Sequence, residues 1–305
     1  MSKKYVRPAD FILPLNINGL EGRMINIEGD SKSKKNEILV IYDLNSNLER
    51  WWGLVVGLRR YANVTMADLP GFGGMGSFYT IGSKPTLDNL ADYMASLVKL
   101  RYKRKRLNVI AIGFGFVVAT RMLHRNPELK SKVKMIICIN GYAHSEDLDH
   151  GGNKLISTIG YKLGSTTLVS WVIKLLANNR LVLNIKYGEN TKKMTKQKAI
   201  DSSFLTKFKV DLKRETDVRS MNLIKLQLLS LDNCNARITN KLWHITYGTN
   251  KELDSKLIEQ HLKVIFTDYN FQASKITRKI PFVMNDEKLA IKLLPAKLRR
   301  DLKKT

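Results

Sequence analysis

The stretch Val109-Ile110-Ala111-Ile112-Gly113-Phe114-Gly115-Phe116-Val117, continued by Val118-Ala119-Thr120-Arg121-Met122-Leu123, decides the fold. An apolar run rich in β-branched residues stops at a corner holding two glycines and resumes with helical spacing. Such a run fits a strand buried on both faces of a parallel sheet. The corner after it fits a sharp turn into a helix, where glycine reaches backbone angles closed to other residues.

The same rhythm extends outward on both sides. Residues 10–17 (DFILPLNI) and 22–28 (GRMINIE) flank a glycine turn and read as an antiparallel hairpin, with Pro14 placing the first strand at an edge. Residues 37–44 (EILVIYDL), 62–69 (ANVTMADL), 107–112 and 133–140 (VKMIICIN) read as buried strands. Asn47 opens a helix carrying Leu48, Trp51, Trp52, Val55 and Leu58. Thr86 is an N-cap for a second, with Leu87, Leu90, Met94, Leu97 and Val98 on one face. Alternating strands and helices imply a mostly parallel sheet covered on both sides.

After Ala143 the alternation breaks. Residues 144–235 read as helix and loop with Lys-rich segments; residues 181–185 are the one strand-like run, and Met221, Ile224, Leu228 and Leu231 form a helix face. The alternation returns with a strand at 242–249, a helix around 254–260, a strand at 262–268 and a terminal helix interrupted at Pro295. The expected organisation is therefore an α/β core formed by residues 1–143 and 236–305, with a helical cap, 144–235, inserted after the sixth strand.

Composition narrows the setting. A chain of 305 residues with 44% hydrophobic and 26% charged residues can bury a large core. Two cysteines, Cys138 and Cys234, make no disulfide framework, so a reducing, cytoplasmic location is expected. No apolar segment has the length of a membrane span, and the basic start lacks the apolar stretch of a signal peptide. The net charge of +25 admits an anionic membrane surface or nucleic acid as partner. Its spread along the whole chain instead favours a compositional habit; the densest run, KLRYKRKR at 99–106, joins a helix end to a strand start, where cations are favourable in any case.

With these elements in order, the chain resembles the α/β-hydrolase superfamily in its cap-containing branch. Three features carry the resemblance: the corner Gly113-Phe114-Gly115-Phe116-Val117, the loop Asp68-Leu69-Pro70-Gly71-Phe72-Gly73-Gly74-Met75-Gly76-Ser77, and the corner Tyr247-Gly248-Thr249-Asn250-Lys251. In the resembled enzymes a nucleophile stands on the strand-to-helix elbow, a histidine activates it, and an acid fixes that histidine. Aligned from Gly113, the nucleophile position falls on Gly115, the acid on Asn250 or Lys251, and the base on Asn270. Asp43-Leu44-Asn45 lies where the oxyanion hole forms, and a carboxylate at Asp43 would oppose a developing oxyanion.

Substitutes are few. Of five histidines, His124, His244 and His261 sit where a surface, strand or helix-end histidine needs no functional explanation. The loop Ala143-His144-Ser145-Glu146-Asp147-Leu148-Asp149-His150 groups ligand-type and proton-carrying side chains, with His144, Asp147 and His150 as candidates. It lacks a recognised metal-ligand spacing and also reads as a solvated loop. Ser77 is the nearest serine to a replacement nucleophile. The expectation is thus a non-catalytic member of the superfamily, without metal or organic cofactor, binding a small apolar ligand or a protein partner near Leu44, Phe114, Gly115, Phe116 and Tyr142. The rival is an esterase- or lipase-like hydrolase working through His144 to His150, and a third reading is a basic-surface binder of membrane or nucleic acid.

Overall fold

The structure, a computed structural model, describes residues 8–30, 33, 35–148, 153–177, 215–247, 253, 255–273, 287–292 and 294–304. The strands are β1 (Ile12–Ile17), β2 (Leu20–Ile27), β3 (Glu37–Ile41), β4 (Asn63–Ala67), β5 (Leu107–Ile112), β6 (Val133–Ile139), β7 (Lys241–Thr246) and β8 (Tyr269–Ala273). They form one sheet in the order β1-β2-β4-β3-β5-β6-β7-β8. The pairings of β1 with β2 and of β2 with β4 are antiparallel; from β4 to β8 every pairing is parallel.

Burial explains the strand sequences. Every residue of β3 and β5 is buried, as expected of central strands with helices on both faces. At the edge, β1 alternates and keeps Pro14 exposed, where its missing N–H costs nothing. The helices are α1 (Trp52–Leu58), α2 (Leu87–Arg101), α3 (Phe114–Arg125), α4 (Lys154–Gly164), α5 (Thr167–Ala177), α6 (Val218–Leu228), α7 (Ser255–Ile265), α8 (Glu287–Lys292) and α9 (Ala296–Lys304). The Thr86 hydroxyl caps α2 by accepting the Asn89 N–H at 3.0 Å. Arg125 grips Asp92 through two hydrogen bonds of 2.8 and 2.9 Å, tying α3 to α2.

Two sequence expectations change. Residues 262–268 are not a strand: Ile258, Leu262 and Ile265 form one buried face of α7, and the strand follows at Tyr269–Ala273. A short apolar run such as Leu-Lys-Val-Ile-Phe fits either state by pattern, and only its packing decides. The terminal helix is two helices, α8 and α9, with Pro295 between them. After β6 come α4, α5 and α6 before β7, the position expected of a cap; residues 181–185 lie outside the described residues.

Candidate functional site

β5 enters the corner at Ile112, and the turn itself is made by Gly113, with φ 52° and ψ −118°. That backbone region is closed to most side chains, and the Gly113 N–H is anchored to the Ile139 carbonyl of β6 at 2.9 Å. The strained residue is therefore Gly113, two positions before the Gly115 that counting from the first glycine selects. Gly115 lies in the first turn of α3. A Cβ there would come within 2.8 Å of the Tyr42 carbonyl oxygen and closer still to that of Ile41. Its role is to let α3 approach the end of β3.

Asp43 follows β3 and faces this turn. Its Oδ1 accepts the N–H of Leu44 and that of Phe114, each at 2.8 Å. One donor comes from the loop after β3 and the other from the residue after the turn. Enzymes with a nucleophile elbow use this pair of positions to hold an oxyanion. Here a carboxylate of the chain itself takes both hydrogen bonds, and a Cβ on Gly113 would run into that carboxylate. Tyr142 lies beside it: burial and the Asp43 charge push its hydroxyl well above the ordinary value.

The residues expected around a pocket pack into the core among the described residues. Phe114, Gly115 and Phe116 are fully buried in the packed core, with Phe116 stacked on Phe266 at a ring separation of 6.0 Å. Tyr142 is buried and Leu44 partly so, against the same core. An elbow lifted clear of its sheet would expose this surface; the close seating of α3 on β3 buries it.

The glycine loop after β4 is organised by a buried acid. The Asp68 carboxylate accepts from Tyr42 Oη at 2.8 Å and from Arg23 Nε at 2.9 Å, while the Tyr42 hydroxyl oxygen accepts the Leu69 N–H. Burial raises the Asp68 carboxyl well above its usual range, against the opposing pull of Arg23 and the Tyr42 hydrogen bond. Gly73, with φ +61°, packs directly on this carboxylate where no Cβ fits. Ser77 caps the following turn by accepting the Tyr79 N–H at 3.3 Å, and its Oγ meets Ser220 Oγ of α6 at 2.9 Å. Its position is thus accounted for as a link between loop and cap.

The His144 loop is brought together differently from the sequence expectation. Asp147 is fully buried; its Oδ2 accepts the N–H groups of Ala143 and His144 at 2.7 and 2.9 Å. Its Oδ1 stands 2.6 Å from Nδ1 of His261, inside α7 rather than at its end. The His144 and His261 rings lie 4.6 Å apart. His150, Asn250 and Lys251 lie outside the described residues. Asn270 sits within β8, paired with Trp243, instead of following the last strand as a base would. His124 is exposed on α3. His244 is buried in β7 with Nδ1 2.9 Å from Tyr269 Oη, and burial pushes its pKa down to about 4.

Three features go beyond the sequence reading: Gly113 as the turn residue, the two N–H groups that Asp43 holds at the oxyanion position where the sequence places it, and the pairing of Asp147 with His261. The first had a signal in the length of the strand run. The others join residues 71 and 114 positions apart, and no local pattern marks them.

The strand order and the elbow geometry define an α/β-hydrolase fold. Solved structures agree. An enol-lactonase from Burkholderia xenovorans is similar at 14% identity and a TM-score of 0.65, over 96% of this chain and all (100%) of that one. An epoxide hydrolase is similar at 12% identity and 0.65, over 96% and 97%. A bacterial membrane phospholipase A is similar at 15% and 0.63, over 96% and 87%. No family model matches the sequence, and no curated protein does. At these identities the likeness is one of fold. Among the described residues no helix is long and apolar enough to cross a membrane.

Proposed function

We propose that this chain is a non-catalytic member of the α/β-hydrolase fold class that acts by binding a small apolar ligand or a protein partner. The observation that carries this reading is the Asp43 carboxylate on the N–H groups of Leu44 and Phe114, opposite a turn residue with no side chain. A carboxylate there repels a developing oxyanion, and Gly113 offers no nucleophile. The sequence adds support, since no histidine follows His261 and the segment after β8 therefore has no imidazole to act as base. A core of residues 1–143 and 236–305 with a cap of 144–235 belongs to the same reading. The test is a panel of esters, lactones and epoxides incubated with purified protein. Background rates are expected throughout; turnover that is lost in His144→Ala would establish the rival hydrolase working from the His144 loop.

A second reading, binding to an anionic lipid surface, is favoured by α4 and α5. Leu155, Ile156, Ile159 and Leu163 share one exposed face of α4; Leu168, Trp171, Val172, Leu175 and Leu176 do so on α5, with Leu168 73% and Trp171 62% exposed. Their spacing is that of an apolar helical stripe with no covering element among the described residues, and the net charge of +25 complements anionic headgroups. Cosedimentation with phosphatidylserine–phosphatidylcholine vesicles is expected to exceed that with phosphatidylcholine alone and to fall with salt. Leu168→Ser/Trp171→Ser should abolish it. A stable dimer in light scattering, broken by the same substitutions, would assign the face to a second copy instead.

A further inference from the structure

We propose that His144, Glu146 and His261 form a binding site for a divalent transition-metal ion of the zinc type, with Asp147 as its supporting carboxylate. The site is separate from the elbow and does not depend on the function proposed above. A side-chain nitrogen or oxygen of each of the three residues lies within 4.8 Å of the others.

The hydrogen bonds set which nitrogens are available. Asp147, fully buried, already accepts two backbone N–H groups, so the 2.6 Å contact with His261 Nδ1 has the imidazole donating. Neutral His261 then carries its lone pair on Nε2. His144 holds its lone pair on Nδ1, which accepts the Glu146 N–H at 3.2 Å, the upper end of the ordinary range, and a metal on that nitrogen would take the place of this bond. Glu146 Oε2 stands 3.6 Å from that same Nδ1. Tetrahedral zinc with bonds of about 2.0–2.2 Å separates neighbouring ligand atoms by roughly 3.3–3.6 Å. Glu146 is mostly exposed and free to turn its carboxylate inward, while the rings are already 4.6 Å apart and tilted by 44°.

The pairing of a buried carboxylate with the far nitrogen of a ligating histidine is the arrangement that orients imidazoles on metals and raises their basicity. Two imidazoles and one carboxylate suit zinc or its neighbours better than calcium or magnesium. Three protein ligands leave a fourth position for water. The two ligands in the loop are two residues apart and the third arrives from α7, which is why no sequence spacing announces the set.

The test is calorimetric titration of Zn²⁺ into the full-length, tag-free, chelator-treated protein, with Co²⁺ absorption reporting coordination. One equivalent is expected to bind with micromolar or better affinity, and Co²⁺ should give tetrahedral visible bands. Glu146→Gln, at an exposed position, and His144→Ala should each weaken binding at least tenfold, and Asp147→Asn by about 10–100-fold. His124→Ala should leave it unchanged. Absence of Zn²⁺ binding by the wild type, or wild-type affinity in both Glu146→Gln and His144→Ala, would overturn the site.

Discussion

The carboxylate of Asp43 accepts the backbone N–H of Phe114 at 2.8 Å, joining the loop after β3 to the first residue of α3. The same oxygen takes the Leu44 N–H, so one side chain satisfies both donors that face the turn. This bond and the bare Gly113 are mutually dependent: the carboxylate occupies the space a Gly113 side chain would need.

That dependence is measurable. Gly113→Ala is expected to cost about 1–3 kcal/mol through its positive φ and the collision with Asp43. Asp43→Ala should cost about 1–3 kcal/mol by leaving two N–H groups unpaired. The double variant should lose less than the sum, with a coupling of about 0.5–3 kcal/mol in a urea-unfolding cycle. Strict additivity would show that carboxylate and turn do not share the space.

Gly115 gives the contrasting case. The atoms a Cβ would meet are the carbonyl groups of Ile41 and Tyr42, which belong to the backbone and cannot rotate away. Gly115→Ala is expected to destabilise by about 1–3 kcal/mol from overpacking. Removing the Asp43 side chain should bring no relief, and the same unfolding experiments read this out.

His244 makes stability depend on pH. Its folded pKa of about 4 lies below the ordinary 6.5 because burial disfavours the imidazolium. Below pH 6.5 the unfolded chain binds a proton that the folded chain refuses, so stability present above 6.5 is lost as the pH falls toward 4. At pH 5 the loss is about 2 kcal/mol relative to neutral pH. Urea unfolding at pH 7.5 and 5.0 should show that slope in the wild type and a correspondingly smaller one in His244→Gln.

The Arg23–Asp68 pair should be sensitive to loss of its cation. Asp68 is fully buried while Arg23 keeps about a quarter of its side-chain exposure and also grips Glu49 at 2.8 and 3.1 Å. Arg23→Leu leaves Asp68 with the Tyr42 hydroxyl alone and is expected to cost about 3 kcal/mol, the low end for breaking a buried pair. Thermal unfolding measures it. A loss below about 0.5 kcal/mol would mean that Asp68 is held neutral without Arg23.

The legible parts of the molecule were those written in local pattern. The runs at 37–41 and 107–112 are apolar throughout because both faces of their strands are covered, and Thr86 stands where a helix needs an acceptor. Residues 262–268 misled because apolar residues spaced for a helix face there include a β-branched run, and two periodicities overlap. The same overlap puts the base position on Asn270: a strand ending at Asp268 makes Asn270 part of the following loop, whereas it lies inside β8.

By itself the sequence determined the order of strands and helices, the glycine corner after β5 and the absence of a histidine beyond His261, since each is a property of chain order or composition. Tertiary structure decided what the corner holds and what the histidines face. Asp43 meets Phe114, and Asp147 meets His261, only because the parallel sheet brings the loops at the ends of β3 and β6 against helices that follow other strands. Contacts across 71 and 114 residues depend on where the backbone returns, and hydrophobic periodicity says nothing about which polar side chain will be waiting there.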